Sequence, residues 1–276
     1  MRNGEEAALH ADEQEARRGS TMLKRSEKPT GFDYLGNPAI TEPFGVPRSA
    51  ARLLADFAIM IACMDPSRSN APVLDFGAGS GWMTEWLARM GRRVVALDIH
   101  GDLQACLQHR IDADLRVRPE LIAHQQGDGH TMPFGDGVFG HVLCYDTLHH
   151  MRDYPRVFTE FARILQPGGR AIFVEPGARH STSPETIAFL QQQKADDPTW
   201  IERDVVLEEI NDIARNAGLS GLTIVPMPHP ERPRRFSLSE WRAYRAGNAQ
   251  PRRAFAEGLA DINYNERVIF YCDRAG

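Results

Sequence analysis

The stretch VLDFGAGSGWMTEWLA, residues 73–88, sets a short apolar run against three glycines at alternate positions and then a helical pattern. A run of this length stopped by glycine predicts a buried strand, and MTEWLARMG (83–91) predicts a helix halted by Gly91. Glycine tolerates positive φ and lets a ligand approach the backbone closely. The helix start behind it offers unpaired N–H groups to an anionic or carboxylate group. Residues 73–91 are therefore a strand, a ligand loop and a helix.

Working outward, the same unit recurs. RRVVALDI (92–99) reads as a second strand, GDLQACLQHRI (101–111) as a helix and LIAHQQGDG (121–129) as a third strand with its exit loop. GHVLCYD (140–146) is a fourth strand, YPRVFTEFARILQPGG (154–169) a helix broken by Pro167, Gly168 and Gly169, and RAIFVEPG (170–177) a fifth strand. Before the first strand, PRSAARLLADFAIMIACM (47–64) has the pattern of an amphipathic to buried helix ended by Pro66 and Ser67. After Gly177, SPETIAFLQQQKA (183–195) and ERDVVLEEINDIARNAGL (202–219) read as helices, LTIVPMP (222–228) as a sixth strand and NERVIFYCD (265–273) as a seventh. Alternation at this spacing predicts an α/β fold, a doubly wound, seven-stranded, Rossmann-like parallel sheet with helices on both faces and ligands at the carboxyl ends of its strands. Residues 1–32 are expected to be a mobile or partly helical N-terminal arm. Residues 33–276 are expected to be one domain, with 226–263 as a helical cap or lid inserted between strands 6 and 7.

Composition narrows the classes. With 276 residues and 42% hydrophobic content the chain can bury a full core. No apolar run approaches the roughly 20 residues of a membrane span, and the charged N-terminus lacks the apolar stretch of a signal peptide, so the expected setting is cytoplasmic. Cys63, Cys106, Cys144 and Cys272 have no Cys-x-x-Cys spacing, which points to reduced core residues. A net charge of −5 gives no footprint for nucleic acid. Locally, Pro228–Arg253 carries seven arginines (232, 234, 235, 242, 245, 252, 253) against Glu231 and Glu240, which suits an anionic acceptor or a solvated surface. Trp241, Tyr244 and Phe255 suit stacking on sugar rings or anchoring the cap. The sequence leaves the oligomeric state open, a homodimer among the options.

Two cofactor classes use such a glycine loop. A dinucleotide site wants G-x-G-x-x-G, which from Gly77 would need a glycine at position 82, where the chain has Trp82. The pattern D-x-G-x-G-x-G from Asp75 to Gly81 instead resembles motif I of the class I S-adenosylmethionine-dependent methyltransferases. Asp98, ending the second strand, matches the family's acidic residue for the ribose hydroxyls. Asp128 in QGDGHTMPF (126–134) matches the one placed on the adenine amino group. FARILQPGGRAIFVEP (161–176) resembles the family's helix, turn and fifth strand, so the likeness covers about residues 70–176. It implies S-adenosyl-L-methionine as cofactor, bound by Asp75, Gly77, Ala78, Gly79, Ser80, Gly81, Asp98, Ile99, Gly127, Asp128, Gly129, Cys144 and Tyr145. Each of these residues alone also has a packing or capping explanation.

Methyl transfer to a neutral hydroxyl needs a base near the sulfonium. If DTLHHM (146–151) opens a helix, Asp146, His149 and His150 share one flank at i, i+3 and i+4. Either histidine then suits a general base oriented by Asp146, or the three residues bind a divalent metal such as Mg2+, although magnesium prefers oxygen ligands. Packing of one histidine on the cofactor with the other in solvent is the bland alternative. Glu175, at the end of the fifth strand, is a further catalytic candidate, with His180 close behind. The combination of EPG, HS, SPET and ERDV resembles a subgroup acting on sugars and polysaccharides. The resemblance thus implies O-methylation of a small polar acceptor, a sugar, saccharide or sugar-phosphate, either anionic or polyhydroxylated. The alternatives are an N-, C- or quinone-type methyltransferase and a non-catalytic S-adenosylmethionine-binding module.

Overall fold

The computed structural model describes Phe44 and residues 47–65, 70–99, 101, 103–196, 201–233 and 235–276. The expected arm, Pro66, Ser67 and Arg234 lie outside the described residues. In chain order the elements are α1 (Pro47–Met64), β1 (Val73–Phe76), α2 (Trp82–Arg89), β2 (Val94–Asp98), α3 (Leu103–Ala113), β3 (Ile122–Gln126), β4 (Phe139–Tyr145), α4 (Tyr154–Ile164) and β5 (Leu165–Pro176). They continue with α5 (Pro184–Asp196), α6 (Leu207–Asn216), β6 (Thr223–Ile224), α7 (Leu238–Arg245), α8 (Ala249–Asp261) and β7 (Arg267–Asp273). The strands form one seven-stranded sheet in the order β3-β2-β1-β4-β5-β7-β6.

The first five strands are parallel, as their crossover helices require. The expectation of a wholly parallel sheet needs one correction, because β7 runs antiparallel to both β5 and β6. Its link from β6 reverses direction without crossing the sheet. That link carries α7 and α8, so helices do occupy the segment expected to form the cap. Ser237 starts α7 with a capping box, its hydroxyl accepting from Glu240 N–H at 3.2 Å while Glu240 Oε2 accepts from Ser237 N–H at 2.6 Å.

Both sheet faces are covered. On one, Tyr154, Val157, Phe158, Phe161 and Ile164 of α4 pack with Ile210 and Ala214 of α6 against β1, β4, β5 and β7. On the other, Phe57, Met60 and Met64 of α1 meet Met83 and Leu87 of α2. A file of rings from Phe76 through Phe161 and Phe173 to Phe270 crosses the first face at centroid spacings of 4.9, 5.6 and 4.7 Å. The four cysteines are free and buried. Among the described residues no helix is long and apolar enough to cross a membrane.

Two sequence expectations fail for tertiary reasons. ERDVV is not helical: α6 begins only at Leu207, and residues 201–206 form a non-helical strip. The strip is pinned because Arg203 N–H donates to the His149 carbonyl at 3.0 Å and the Arg203 guanidinium lies 3.9 Å from the Tyr154 ring centroid. DTLHHM is not an α-helix either. Asp146 is left-handed at φ 52°, and Leu148–His150 form a single 3-10 turn. Asp is among the few residue types that enter that region readily, and the reversal there turns the chain from β4 back across the sheet edge.

Candidate active site

The glycine loop is shaped by what surrounds it. Gly77, Gly79 and Gly81 have φ of 70°, 53° and 72°, and a Cβ at Gly77 would overlap the Thr147 side chain. Behind the loop, Arg110 Nε donates to the Ser80 carbonyl at 2.6 Å and its Nη1 to Glu85 at 2.7 Å, which fixes the turn to α2 and α3. Asp98 Oδ2 accepts from Gly79 N–H at 2.7 Å and so ties β2 to the loop. Gly77→Ala is expected to lose soluble, cofactor-competent protein, because it combines that overlap with an unfavourable φ; a thermal melt equal to wild type would contradict this.

At the carboxyl ends of β1–β4 lies a cleft of about 200 Å³. Of the residues expected to bind cofactor, Gly77, Gly79, Asp98, Ile99, Gly127, Asp128 and Gly129 line it. Six others do not. Asp75 is buried behind the loop, where Thr84 Oγ1 donates to it at 2.5 Å, and burial above all raises its pKa to about 7. Ala78, Ser80 and Gly81 form the far side of the turn, and Cys144 is buried with Sγ 3.3 Å from Glu175 Oε1. Tyr145 faces the neighbouring cavity instead, its hydroxyl donating to Asp56 at 3.1 Å. Thr147 and Met151, which the sequence did not single out, do line the cleft.

That neighbouring cavity, of about 510 Å³, shares Asp146 and His150 with the cleft. It is also lined by His149, Glu175, His180 and Glu202. Glu175 is fully buried and organises the turn: its Oε1 accepts from the N–H groups of Thr147 (3.0 Å) and Leu148 (2.8 Å), and its Oε2 lies 2.9 Å from His149 Nδ1. The other ring nitrogen of His149 lies 3.3 Å from Glu202 Oε2. Burial alone would lower the His149 pKa, but hydrogen bonds to Glu175 and Glu202 outweigh it and raise it to about 10. His149 is thus an imidazolium clamped between two carboxylates.

His150 is its opposite. Burial first, then the charge of His149, lower its pKa to about 4. Its Nδ1 lies 3.1 Å from the Ile201 carbonyl, which can only accept, so Nδ1 carries the proton and Nε2 the lone pair. Glu202, held well below the usual carboxylate range by His149 and His180 against the opposing effect of burial, also takes 2.8 Å contact with His180 Nε2.

The expected metal set of Asp146, His149 and His150 changes accordingly. The donor atoms that come within 4.8 Å of one another belong to His149, His150 and Glu202, whereas Asp146 faces Arg52 at 3.9 Å. Two imidazoles and one carboxylate do not fit Mg2+, which favours an all-oxygen shell. Glu202 was hidden because its stretch reads as helix; its appearance in ERDV beside the HS segment was the available signal.

The clamp has a measurable cost at alkaline pH. A histidine whose folded pKa is raised stabilises fully below its unfolded pKa of about 6.5, and that stability is lost as pH rises toward the folded value of about 10. The unfolding free energy is therefore expected to fall between pH 6.5 and 9 with a slope of up to about 1.4 kcal/mol per pH unit. His149→Asn should flatten that slope in denaturant titrations, and an equal slope in both proteins would contradict the clamp.

The arginine-rich segment does not reach this cavity in force. Arg232 and Arg235 line a separate cavity of about 400 Å³ with Phe255, Leu259 and Ile262, and Arg253 pairs with Glu257 at 2.7 Å.

The sheet order and the glycine loop at the end of β1 are those of the fold that class I S-adenosylmethionine-dependent methyltransferases share. Residues 74–173 match the family described as Methyltransferase domain, and the chain carries that domain. It is similar to the biotin biosynthesis bifunctional protein BioHC of Cellvibrio japonicus, 27% identical over 183 residues covering 66% of this chain and 33% of the relative. It is also similar to a ubiquinone biosynthesis O-methyltransferase of Xanthomonas oryzae pv. oryzae, 32% identical over 109 residues covering 37% and 41% of the two chains. The aligned parts thus span between a third and two fifths of these relatives. Geranyl diphosphate C-methyltransferase of Streptomyces coelicolor A3(2) shares the fold at a TM-score of 0.58 and 18% identity, with 96% of this chain and 98% of that one covered.

Proposed function

We propose that the protein is an S-adenosylmethionine-dependent methyltransferase acting on a hydroxyl of a small polyhydroxylated acceptor, a sugar or saccharide in the leading case, in the cytoplasm. The observation that carries the reading is the pair of adjoining cavities that share His150 and Asp146. Gly77 and Gly79 offer close backbone approach in the smaller one. The Asp98 and Asp128 carboxylates suit a cis-diol and an exocyclic amine. Bound there, S-adenosylmethionine supplies an electrophilic methyl on a sulfonium and leaves as the neutral thioether S-adenosylhomocysteine.

The chain's own residues then do the rest. His150, neutral at physiological pH, takes the hydroxyl proton on Nε2 as the oxygen gains its new bond to carbon. A base of such low pKa suffices, because the alkylating oxygen becomes strongly acidic as that bond forms. Glu175 and Glu202 are positioning residues: they hold His149 charged, and that charge adds to burial in keeping His150 unprotonated. The step as proposed uses these side chains alone.

Incubation with methyl-labelled S-adenosylmethionine and a panel of neutral, amine-bearing and phosphorylated polyols, with and without chelator, tests this. Labelled methyl ether formed equally under both conditions is the expected result. Label on nitrogen or carbon alone, or product only with added metal, would overturn it.

A further inference from the structure

Asp128 is set in the cofactor cleft by a neighbour on the same loop. His130 N–H donates to Asp128 Oδ1 at 2.8 Å, and His130 Nδ1 lies 2.7 Å from the same oxygen. From the far side of the ring Asp153 N–H, which can only donate, reaches Nε2 at 3.3 Å. Nε2 therefore holds the lone pair and Nδ1 the proton, and the ring donates to the carboxylate. The ring is buried, and its backbone is held as well: the His130 carbonyl accepts from Arg156 Nε at 2.9 Å, while Arg156 Nη2 donates to Thr131 Oγ1 at 2.8 Å. Asp153 caps α4 and Arg156 lies in its first turn, so His130 joins the exit loop of β3 to the helix that follows the histidine turn. Gly127, Asp128 and Gly129 line the cleft, while His130 is turned into the interior.

We infer that His130 is a positioning residue for the cofactor: it fixes the Asp128 carboxylate so that the cleft takes a purine bearing an exocyclic amino group and rejects one bearing an exocyclic oxygen. The inference rests on the proposed cofactor cleft and deepens it by naming what sets its base selectivity. A carboxylate accepts and cannot donate, so it pairs with an amino group and repels a carbonyl oxygen. An unrestrained aspartate would swing aside for the second base. A carboxylate bonded to a buried ring would not, and it costs less to order when the first base binds. The ribose separates the purine from the sulfonium, so the effect falls on binding and leaves the transfer step alone.

Calorimetry on the full-length protein compares S-adenosylhomocysteine with its deaminated analogue, S-inosylhomocysteine. The wild type is expected to bind the first about tenfold more tightly. His130→Phe keeps a buried ring and removes the donor. It should weaken S-adenosylhomocysteine about tenfold and S-inosylhomocysteine by no more than about twofold, and raise KM for S-adenosylmethionine with kcat nearly unchanged. His130→Gln, which can keep the Asp153 contact but has no donor at the place of Nδ1, should show the same selective loss and serves if the phenylalanine variant does not fold. His130→Asn, whose amide N–H falls near the place of Nδ1, should restore the preference to within about threefold of wild type. A wild type without base preference, equal loss of both ligands, no loss of either, or no recovery with asparagine would overturn the positioning role and leave the cleft's assignment standing. A wild type that binds neither ligand would instead remove the cofactor reading itself, and this inference with it.

Discussion

His150→Ala is expected to lower kcat by about 10²- to 10⁴-fold, the range for loss of a positioned general base, in a protein that still folds and binds cofactor. His150 is the residue whose ring borders both cavities and whose Nδ1–H is committed to the Ile201 carbonyl, so its Nε2 lone pair is held in a fixed orientation. The wild-type pH profile carries the same claim. An ordinary histidine base would impose an acid limb near 6.5. Here burial and the His149 charge place it near 4, so kcat/KM is expected to stay level down through pH 6. An inflection at 6.5, or an alanine variant within threefold of wild type, would assign the proton to another group.

Glu175 gives the second large effect, because two side-chain changes separate its two duties. Glu175→Ala removes the acceptor for the Thr147 and Leu148 N–H groups and one arm of the His149 clamp, all in the protein interior. Breaking a buried pair from one side costs about 3–5 kcal/mol, so the melting temperature should drop on the order of 10 °C. Glu175→Gln keeps an oxygen for the backbone donors but takes away the charge. His149 then loses much of what holds it protonated, its repulsion of His150 weakens, and the acid limb of kcat/KM should move up from near 4 toward 6.5. A glutamine variant with wild-type stability and an unmoved limb would leave Glu175 a purely structural carboxylate.

The parts of this architecture that sequence made visible are local ones. Asp75 to Gly81 declare a strand, a loop and a helix within a dozen residues, and Asp98 and Asp128 are found by standing at the ends of successive strands. Length and periodicity suffice there because parallel β–α units are contiguous in the chain. The histidine pair was visible as chemistry but not as geometry. Asp146 enters the left-handed region and the turn that follows is a single 3-10 turn, so the three residues do not share an α-helical flank. Glu202 was out of reach for the opposite reason: ERDVV reads as helix, and tertiary bonds, those of Arg203 to the backbone of His149, Met151 and Arg152 and of His150 to the Ile201 carbonyl, hold it as a non-helical strip beside the histidines. Tyr145 shows the same limit at finer scale. Its place at the end of β4 was legible, but the side of the strand it serves is decided by Asp56, 89 residues earlier.

Calorimetric titration with S-adenosylmethionine tests the central claim most directly. The wild-type protein should show one saturable site per chain. Asp98→Asn, which replaces the proposed charged acceptor of the ribose hydroxyls with a neutral one whose amide oxygen can still accept from Gly79 N–H, should weaken it about tenfold or more with a much smaller change in melting temperature. No detectable binding by the wild type, or equal affinity in the variant, would contradict the assignment of the cleft formed by Gly77, Gly79, Asp98 and Asp128 as the cofactor site.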